Sequence, residues 1–237
     1  MIDMRFWGGV IVAAVLTAAL AQSGAAAQSG DAMQKRLRAC TSCHGGTAID
    51  IDGGYVPRIQ GKPAGYLFNQ LVNFREHRRN NATMNYLTSH LSDDYLYRMA
   101  EYFAGREAPY PEPAPPPEAS AADRGEELVR RGDPDNDIPA CQSCHGDRLA
   151  GVQPATPGLI GLPRHYILAQ LGAWRVGTRH AKAPDCMAKV AGRLTERDIE
   201  AVAAWLASQP LPADTRPQTE PVVNPPLKCG VVPRPGG

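Results

Sequence analysis

The clearest periodic stretch of the chain is "LTERDIEAVAAWLA". Its apolar residues Ile199, Val202, Ala203 and Leu206 recur at i, i+3, i+4 and i+7, the stripe of one helix face. Thr195 stands where an N-cap belongs and Asp198 follows three residues on, close to a capping box. Leu96, Met99, Ala100 and Phe103 repeat the same stripe 103 residues earlier. Two further helices are expected over residues 66–75 and 166–175. The stretches "GDAMQKRLRACTSCHG" and "ADRGEELVRRG" open as helices ahead of them. No alternating strand pattern recurs, so the chain reads as all-α.

The recurrence extends well beyond one helix. "RACTSCHGG" at 38–46 matches "PACQSCHGD" at 139–147, and residues 56–75 match residues 156–175. Pro57/Pro157, Gly61/Gly161, Pro63/Pro163, Tyr66/Tyr166, Gln70/Gln170, Leu71/Leu171 and Arg75/Arg175 are shared. The chain is therefore two copies of one small helical domain, at 31–105 and 122–210. Domains this small bury little surface alone, so each is expected to need a staple or a cofactor in its core.

Proline sharpens the boundaries. Six of the 22 prolines lie at 109–117 and eight lie from Pro210 onward. The first cluster marks a linker, 106–121, extended where it is polyproline-like. The second marks a tail, 211–237, without regular structure. At the other end, Arg5 precedes an apolar or small run of 15 residues, 6–20, with "ALA" ending at Ala21 and "AAA" at Ala27. The run is shorter than the roughly 20 residues of a spanning helix. Residues 1–27 read as a secretory signal peptide, with an uncleaved membrane anchor as the rival. Either way the folded part is expected outside the cytoplasm, in the periplasm. A net charge of +1 gives a nucleic-acid role no support.

"CTSCH" at 40–44 and "CQSCH" at 141–145 have the spacing of covalent haem attachment. Residues three and four apart share a helix face. Cys40 and Cys43 can then both bond one porphyrin while His44 offers Nε2 to its iron. Cys141, Cys144 and His145 repeat the arrangement. A four-thiolate zinc site would need the two pairs to converge from separate repeats. A thioredoxin-like pair would need a βαβ setting, which is absent. Two covalent c-type haems are expected. A ligating histidine normally donates its other ring N–H to an acceptor. Pro57 lies 13 residues after His44 and Pro157 lies 12 after His145, and their carbonyls are the candidates.

The sixth ligand decides between electron transfer and small-molecule chemistry. Met84 and Met187 align between the repeats, each in a loop seven residues before the leucine ahead of the last helix. They are the candidate distal ligands, as soft thioethers that close the iron. Met33 has no repeat partner, and Met99 aligns with Val202 in an apolar stripe. His77, His90, His165 and His180 have no histidine at their repeat-equivalent positions. Of six cysteines, Cys186 and Cys229 are left over. In an exported chain they are expected to pair, tying the tail to the second methionine loop. The rival is a Cys186 thiolate on the iron. Tyr66, Arg75, Tyr166 and Arg175 are equivalent polar residues on apolar helices, and so are candidates for haem propionate contacts.

On these motifs the chain resembles the diheme cytochrome c₄ family, with the match covering residues 31–105 and 122–210. The resemblance implies two tandem class I cytochrome c domains and a periplasmic electron shuttle. It also implies haem propionate edges that approach at the domain interface. Its implied partners are a terminal oxidase such as the cbb₃ type, a bc₁-type complex or a dehydrogenase. A membrane is met only through such a partner or an uncleaved signal anchor. The proline-rich linker and the tail with Cys229 depart from the family pattern and leave the partner open. The alternatives are a cytochrome subunit of a dehydrogenase or flavocytochrome complex, and a small diheme peroxidase. Two paired methionines argue against the peroxidase, so an electron carrier rather than an enzyme is expected.

Overall fold

A computed structural model of the chain describes residues 32–45, 50–51, 54–221 and 223–236. The signal peptide expected at 1–27 lies outside the described residues. Among the described residues, 32–42 fall in one unit and those from Cys43 onward in another. In the first, residues 32–36 are helical and Leu37 is buried. Helix α1 (Arg38–His44) follows.

In the second unit the first repeat contributes β1 (Asp50–Ile51), β2 (Gly54–Tyr55), α2 (Ala64–Arg75), α3 (Ala82–Thr88) and α4 (Asp93–Ala104). The second repeat contributes α5 (Ala119–Arg130), α6 (Gln142–His145), β3 (Gly151–Val152), β4 (Thr156–Pro157), α7 (Arg164–Arg175), α8 (Cys186–Ala191) and α9 (Glu196–Ser208). A 3₁₀ turn at Pro134–Asn136 joins α5 to α6. Two antiparallel two-residue hairpins, β1–β2 and β3–β4, are additions to the all-helical expectation. Two residues are too few for an alternating pattern to register in sequence.

Local chemistry explains where the helices start. Asn81 caps α3, Ser92 caps α4, and Asp185 caps α8, each accepting the backbone N–H three residues on. Thr195 and Asp198 form a reciprocal capping box on α9. The two methionine segments are therefore short capped helices rather than loops, because Asn81 and Asp185 satisfy the first-turn donors that a loop would leave to water.

The apolar stripes pack as their periodicity requires. Leu96, Met99, Ala100 and Phe103 of α4 are buried, as are Leu67, Phe68 and Val72 of α2, and these two helices pack on each other. In the second repeat α9 packs on both α5 and α7. Leu128, Val129, Ile167, Leu171, Ile199, Val202 and Leu206 meet in one core. Truncating such a leucine to alanine costs about 2–5 kcal/mol.

The α5–α9 crossing is close. A Cβ on Gly125 would stand 2.5 Å from the Ala201 carbonyl oxygen and 2.6 Å from Trp205 Cβ. Beside it Arg124 Nε donates to Asp198 Oδ1 at 2.8 Å and Nη2 to Asp133 at 2.8 Å. Burial pushes the Asp198 carboxyl up, but the hydrogen bonds from Arg124 and Thr195 outweigh it and hold the group below its usual range.

The tail is pinned along its length. Gln218 pairs with Val152 as a parallel bridge, and its N–H donates to the Gly151 carbonyl at 2.9 Å. Cys229 is bonded to Cys186, with the Cα atoms 5.3 Å apart. Beyond it, Val232 N–H donates to Asn69 Oδ1 at 2.9 Å, and the Arg234 guanidinium lies 4.7 Å from the Tyr97 ring centroid. A segment that leaves the second repeat at α9 thus ends on α2 and α4 of the first. No described helix is long and apolar enough to cross a membrane.

Candidate functional site

Helix geometry places the cysteines and histidines of each C-x-x-C-H motif on one short turn. Cys40, Cys43 and His44 lie on α1, while Cys141 is the N-cap of α6 and Cys144 and His145 lie on it. Cys141 Sγ lies 3.9 Å from the Leu128 carbonyl. Burial pushes its thiol up to about 12, and also raises that of Cys144. Among the described residues no group of three or more His, Cys, Asp and Glu side chains gathers to hold a metal.

The two histidines are held alike. His44 Nδ1 lies 2.8 Å from the Pro57 carbonyl oxygen, and His145 Nδ1 lies 2.7 Å from that of Pro157. A carbonyl only accepts, so Nδ1 carries the proton. Burial, the largest influence on each, lowers both imidazoles below their ordinary range. The result is a neutral ring with the Nε2 lone pair free for a metal. The first loop is held a second time, because Gln60 Nε2 donates to the His44 carbonyl at 2.5 Å.

Met84 lies on α3, where its N–H donates to Asn81 Oδ1 at 3.0 Å and its carbonyl accepts from Thr88 Oγ1 at 2.8 Å. Met187 lies on α8 and packs partly buried against the second core. The disulfide between Cys186 and Cys229 commits the Cys186 sulfur, so it is not a thiolate beside Met187.

Arg75 and Arg175 each reach the backbone of their own repeat. Arg75 Nη1 donates to the Leu91 carbonyl at 2.9 Å, and Nη2 pairs with Asp93 at 2.6 Å. Arg175 Nη1 donates to the Leu194 carbonyl at 2.6 Å. Each guanidinium ties the middle helix to the turn that opens the last helix of its own repeat. That turn has carbonyls without helical partners, which is what draws the donors.

The polar centre between the repeats is instead built by Arg79 and Arg179. Arg79 donates to Gln70 Oε1 at 2.9 Å, to Gln170 Oε1 at 2.9 Å and to the Tyr166 hydroxyl at 3.1 Å. Arg179 donates to Gln170 Oε1 at 2.5 Å and to Gln70 Oε1 at 3.0 Å. The arrangement is a near-twofold exchange. Each arginine holds the glutamine of both repeats, and Arg79 also reaches the tyrosine of the other. Arg78 and Gly65 add backbone links across the same boundary, to His180 and Pro154.

Among the described residues no carboxylate pairs with either guanidinium. Arg179 is 5% exposed, and burial together with the Arg79 charge pushes it down to about 10. Burial likewise raises the Tyr66 hydroxyl. The Arg179 guanidinium also lies 3.7 Å from the Trp174 ring centroid, and the buried Trp174 Nε1 has no hydrogen-bond partner among the described residues. A buried and a partly buried cation with an orphaned N–H make a site that is short of an anion. The carboxylates of a haem propionate edge fit it, and Arg79 is near enough to His44 to help lower its imidazole. Sequence reasoning missed Arg79, Arg179 and Trp174. The signal was present at "FREHRRN" and "WRVGTRH", where an arginine four residues after Arg75 and Arg175 recurs at an offset of 100.

Comparison with known proteins agrees. The Cytochrome c family model matches residues 122–210. A thiosulfate dehydrogenase electron acceptor of Thiomonas intermedia is 39% identical, over 79% of this chain and 86% of that protein. A cytochrome c₄ of Thiocapsa roseopersicina is 31% identical, over 77% of this chain and 94% of that protein. The solved structure of reduced recombinant cytochrome c₄ from Pseudomonas stutzeri aligns with a TM-score of 0.61 at 28% identity, covering 76% of this chain and 97% of that one. The duplicated C-x-x-C-H helices, the free histidine nitrogens and these likenesses converge. The chain belongs to the diheme cytochrome c₄ family of class I cytochromes c, and is an electron carrier with two covalent c-type haems.

Proposed function

We propose that this chain is a periplasmic shuttle that takes single electrons from a thiosulfate-oxidising dehydrogenase and passes them to a terminal oxidase. The observation that carries the reading is its 39% identity to a protein named as the electron acceptor of thiosulfate dehydrogenase.

In this reading Cys40 and Cys43 hold the first haem by thioether bonds, and Cys141 and Cys144 hold the second. His44 and His145 are the proximal ligands, oriented by the Pro57 and Pro157 carbonyls. Met84 and Met187 are the distal ligands. Arg79, Arg179, Tyr66, Tyr166 and Trp174 receive the propionates. The haems, when bound, supply one-electron iron chemistry. The chain's own part is to fix both ligand sets and to keep the carboxylate edges in a shared cationic pocket. Thioether ligation at both irons leaves no open position for peroxide.

The test is reconstitution. Ferric holoprotein is mixed with a thiosulfate dehydrogenase, and haem reduction is followed by absorbance before and after adding thiosulfate. Thiosulfate-dependent reduction is expected, followed by reoxidation when oxidase-containing membranes and oxygen are supplied. Reduction by ascorbate but not by dehydrogenase with thiosulfate would sink the proposed donor. Tight co-purification with the dehydrogenase would recast the chain as its subunit rather than a free shuttle.

A further inference from the structure

The two methionine segments differ in what surrounds them. Lys182 and Lys189 flank Met187, and both are exposed. The Cys186–Cys229 disulfide brings a third exposed lysine, Lys228, against the same segment. Gly230 N–H donates to the Pro184 carbonyl at 2.8 Å. A Cβ at Gly230 would strike the carbonyls of Lys182 and Ala183, so only glycine lets the tail lie this close. None of the three lysines is in an ion pair among the described residues. The nearby carboxylate, Asp185, is spent on the backbone, accepting from Ala181 N–H at 2.6 Å and Ala188 N–H at 3.0 Å.

The first repeat has no such collar. The position equivalent to Lys189 is Tyr86, 79% exposed, and Lys182 lies between Arg179 and Met187, a stretch three residues longer than that between Arg79 and Met84. The three lysines are thus concentrated around one of two methionines in a chain whose net charge is only +1. Val231, 52% exposed, adds an apolar contact next to them.

We infer that Lys182, Lys189 and Lys228 form a docking collar for an acidic face of a redox protein partner, with electrons entering or leaving through the second repeat at Met187. Rim charges of this kind steer encounter and set its salt dependence more than they set final affinity. Charge complementarity names the partner's chemistry, clustered aspartate and glutamate carboxylates around its own redox centre. A membrane fits less well, because α8 has six residues and offers no broad apolar face to a bilayer. The inference rests on the proposed electron-shuttle role and on Met187 as distal ligand.

The test compares the wild-type holoprotein with a Lys182→Glu, Lys189→Glu, Lys228→Glu triple variant, and with a milder variant carrying Gln at the same positions. Each ferrous haem gives one electron to anionic hexacyanoferrate(III), or to cationic hexaammineruthenium(III), in stopped flow across a range of salt. The Glu variant should lose rate with hexacyanoferrate on the order of tenfold at low salt. It should gain rate with the ruthenium complex, and both differences should vanish at high salt. The Gln variant should fall between, which keeps the test valid if the Glu variant folds poorly. Rates unchanged within twofold for both variants and both probes would overturn the collar. So would lysine-dependent co-sedimentation with phosphatidylglycerol vesicles, which would assign the patch to a lipid surface. The Met–iron(III) charge-transfer band is recorded alongside. Its absence from wild type would defeat the ligand reading, whereas an intact band with flat salt dependence would defeat the collar alone.

Discussion

Replacing both Cys186 and Cys229 by serine isolates what the tail's covalent anchor contributes. The bond closes a loop over a sequence separation of 43 residues. In the chain-entropy account, a loop of that length removes about 13 cal/mol/K from the unfolded ensemble, which is about 4 kcal/mol at 25 °C. The folded side has little to offset it, because Gly230 and Gln218 remain hydrogen-bonded to the second repeat without the bridge. The assay is denaturant unfolding of the oxidised holoprotein, followed by circular dichroism and by the Met–iron(III) charge-transfer band. The double variant should unfold at lower denaturant, by an amount equivalent to about 2–4 kcal/mol, within the range for native disulfides. Its band should persist under native conditions, since Asp185 still caps α8. A loss below about 1 kcal/mol would refute the loop-closure reasoning. A band lost before unfolding begins would show that the bridge, and not the cap, holds the Met187 segment.

Three further outcomes follow from other sites. Gly125→Ala should destabilise the second repeat by about 1–3 kcal/mol in thermal unfolding, because the new methyl meets α9 backbone and the gain in helix propensity is smaller than that overlap. Burial, with Arg58 nearby, pushes the Lys62 amine down to about 7. The unfolded chain holds that proton up to about pH 10, so it binds more protons in between and wild-type stability should rise with pH across that window. Lys62→Leu, the residue at the equivalent position of the second repeat, should remove this rise and stabilise most at and below pH 7 in paired unfolding curves. Trp174→Phe, which copies Phe74, should leave the fold intact but lower the midpoint potential of the second haem in a redox titration. Without the Nε1–H a propionate charge is less compensated and favours iron(III). An unchanged potential would show that the indole does not serve a propionate.

The sequence by itself determined what local spacing and repetition encode. Thr195 and Asp198 announce the start of α9 because a cap is complete within four residues. The stripes of α4 and α9 name their own buried faces for the same reason. The C-x-x-C-H turns are legible because all three groups sit on one helical turn, and the aligned prolines lie within a loop's reach of the histidines. The tertiary structure alone decided which long side chain reaches where. Arg75 and Arg79 are four residues apart in one copy, and nothing in their spacing says that the first ties its own helix down while the second crosses to Gln170 and Tyr166. Nor could spacing show that a tail rich in proline would carry Lys228 to Met187 and end on α2 and α4. Such pairings join residues far apart in sequence, and are set by the packing of whole helices, whereas periodicity reports only what a single helix or turn does.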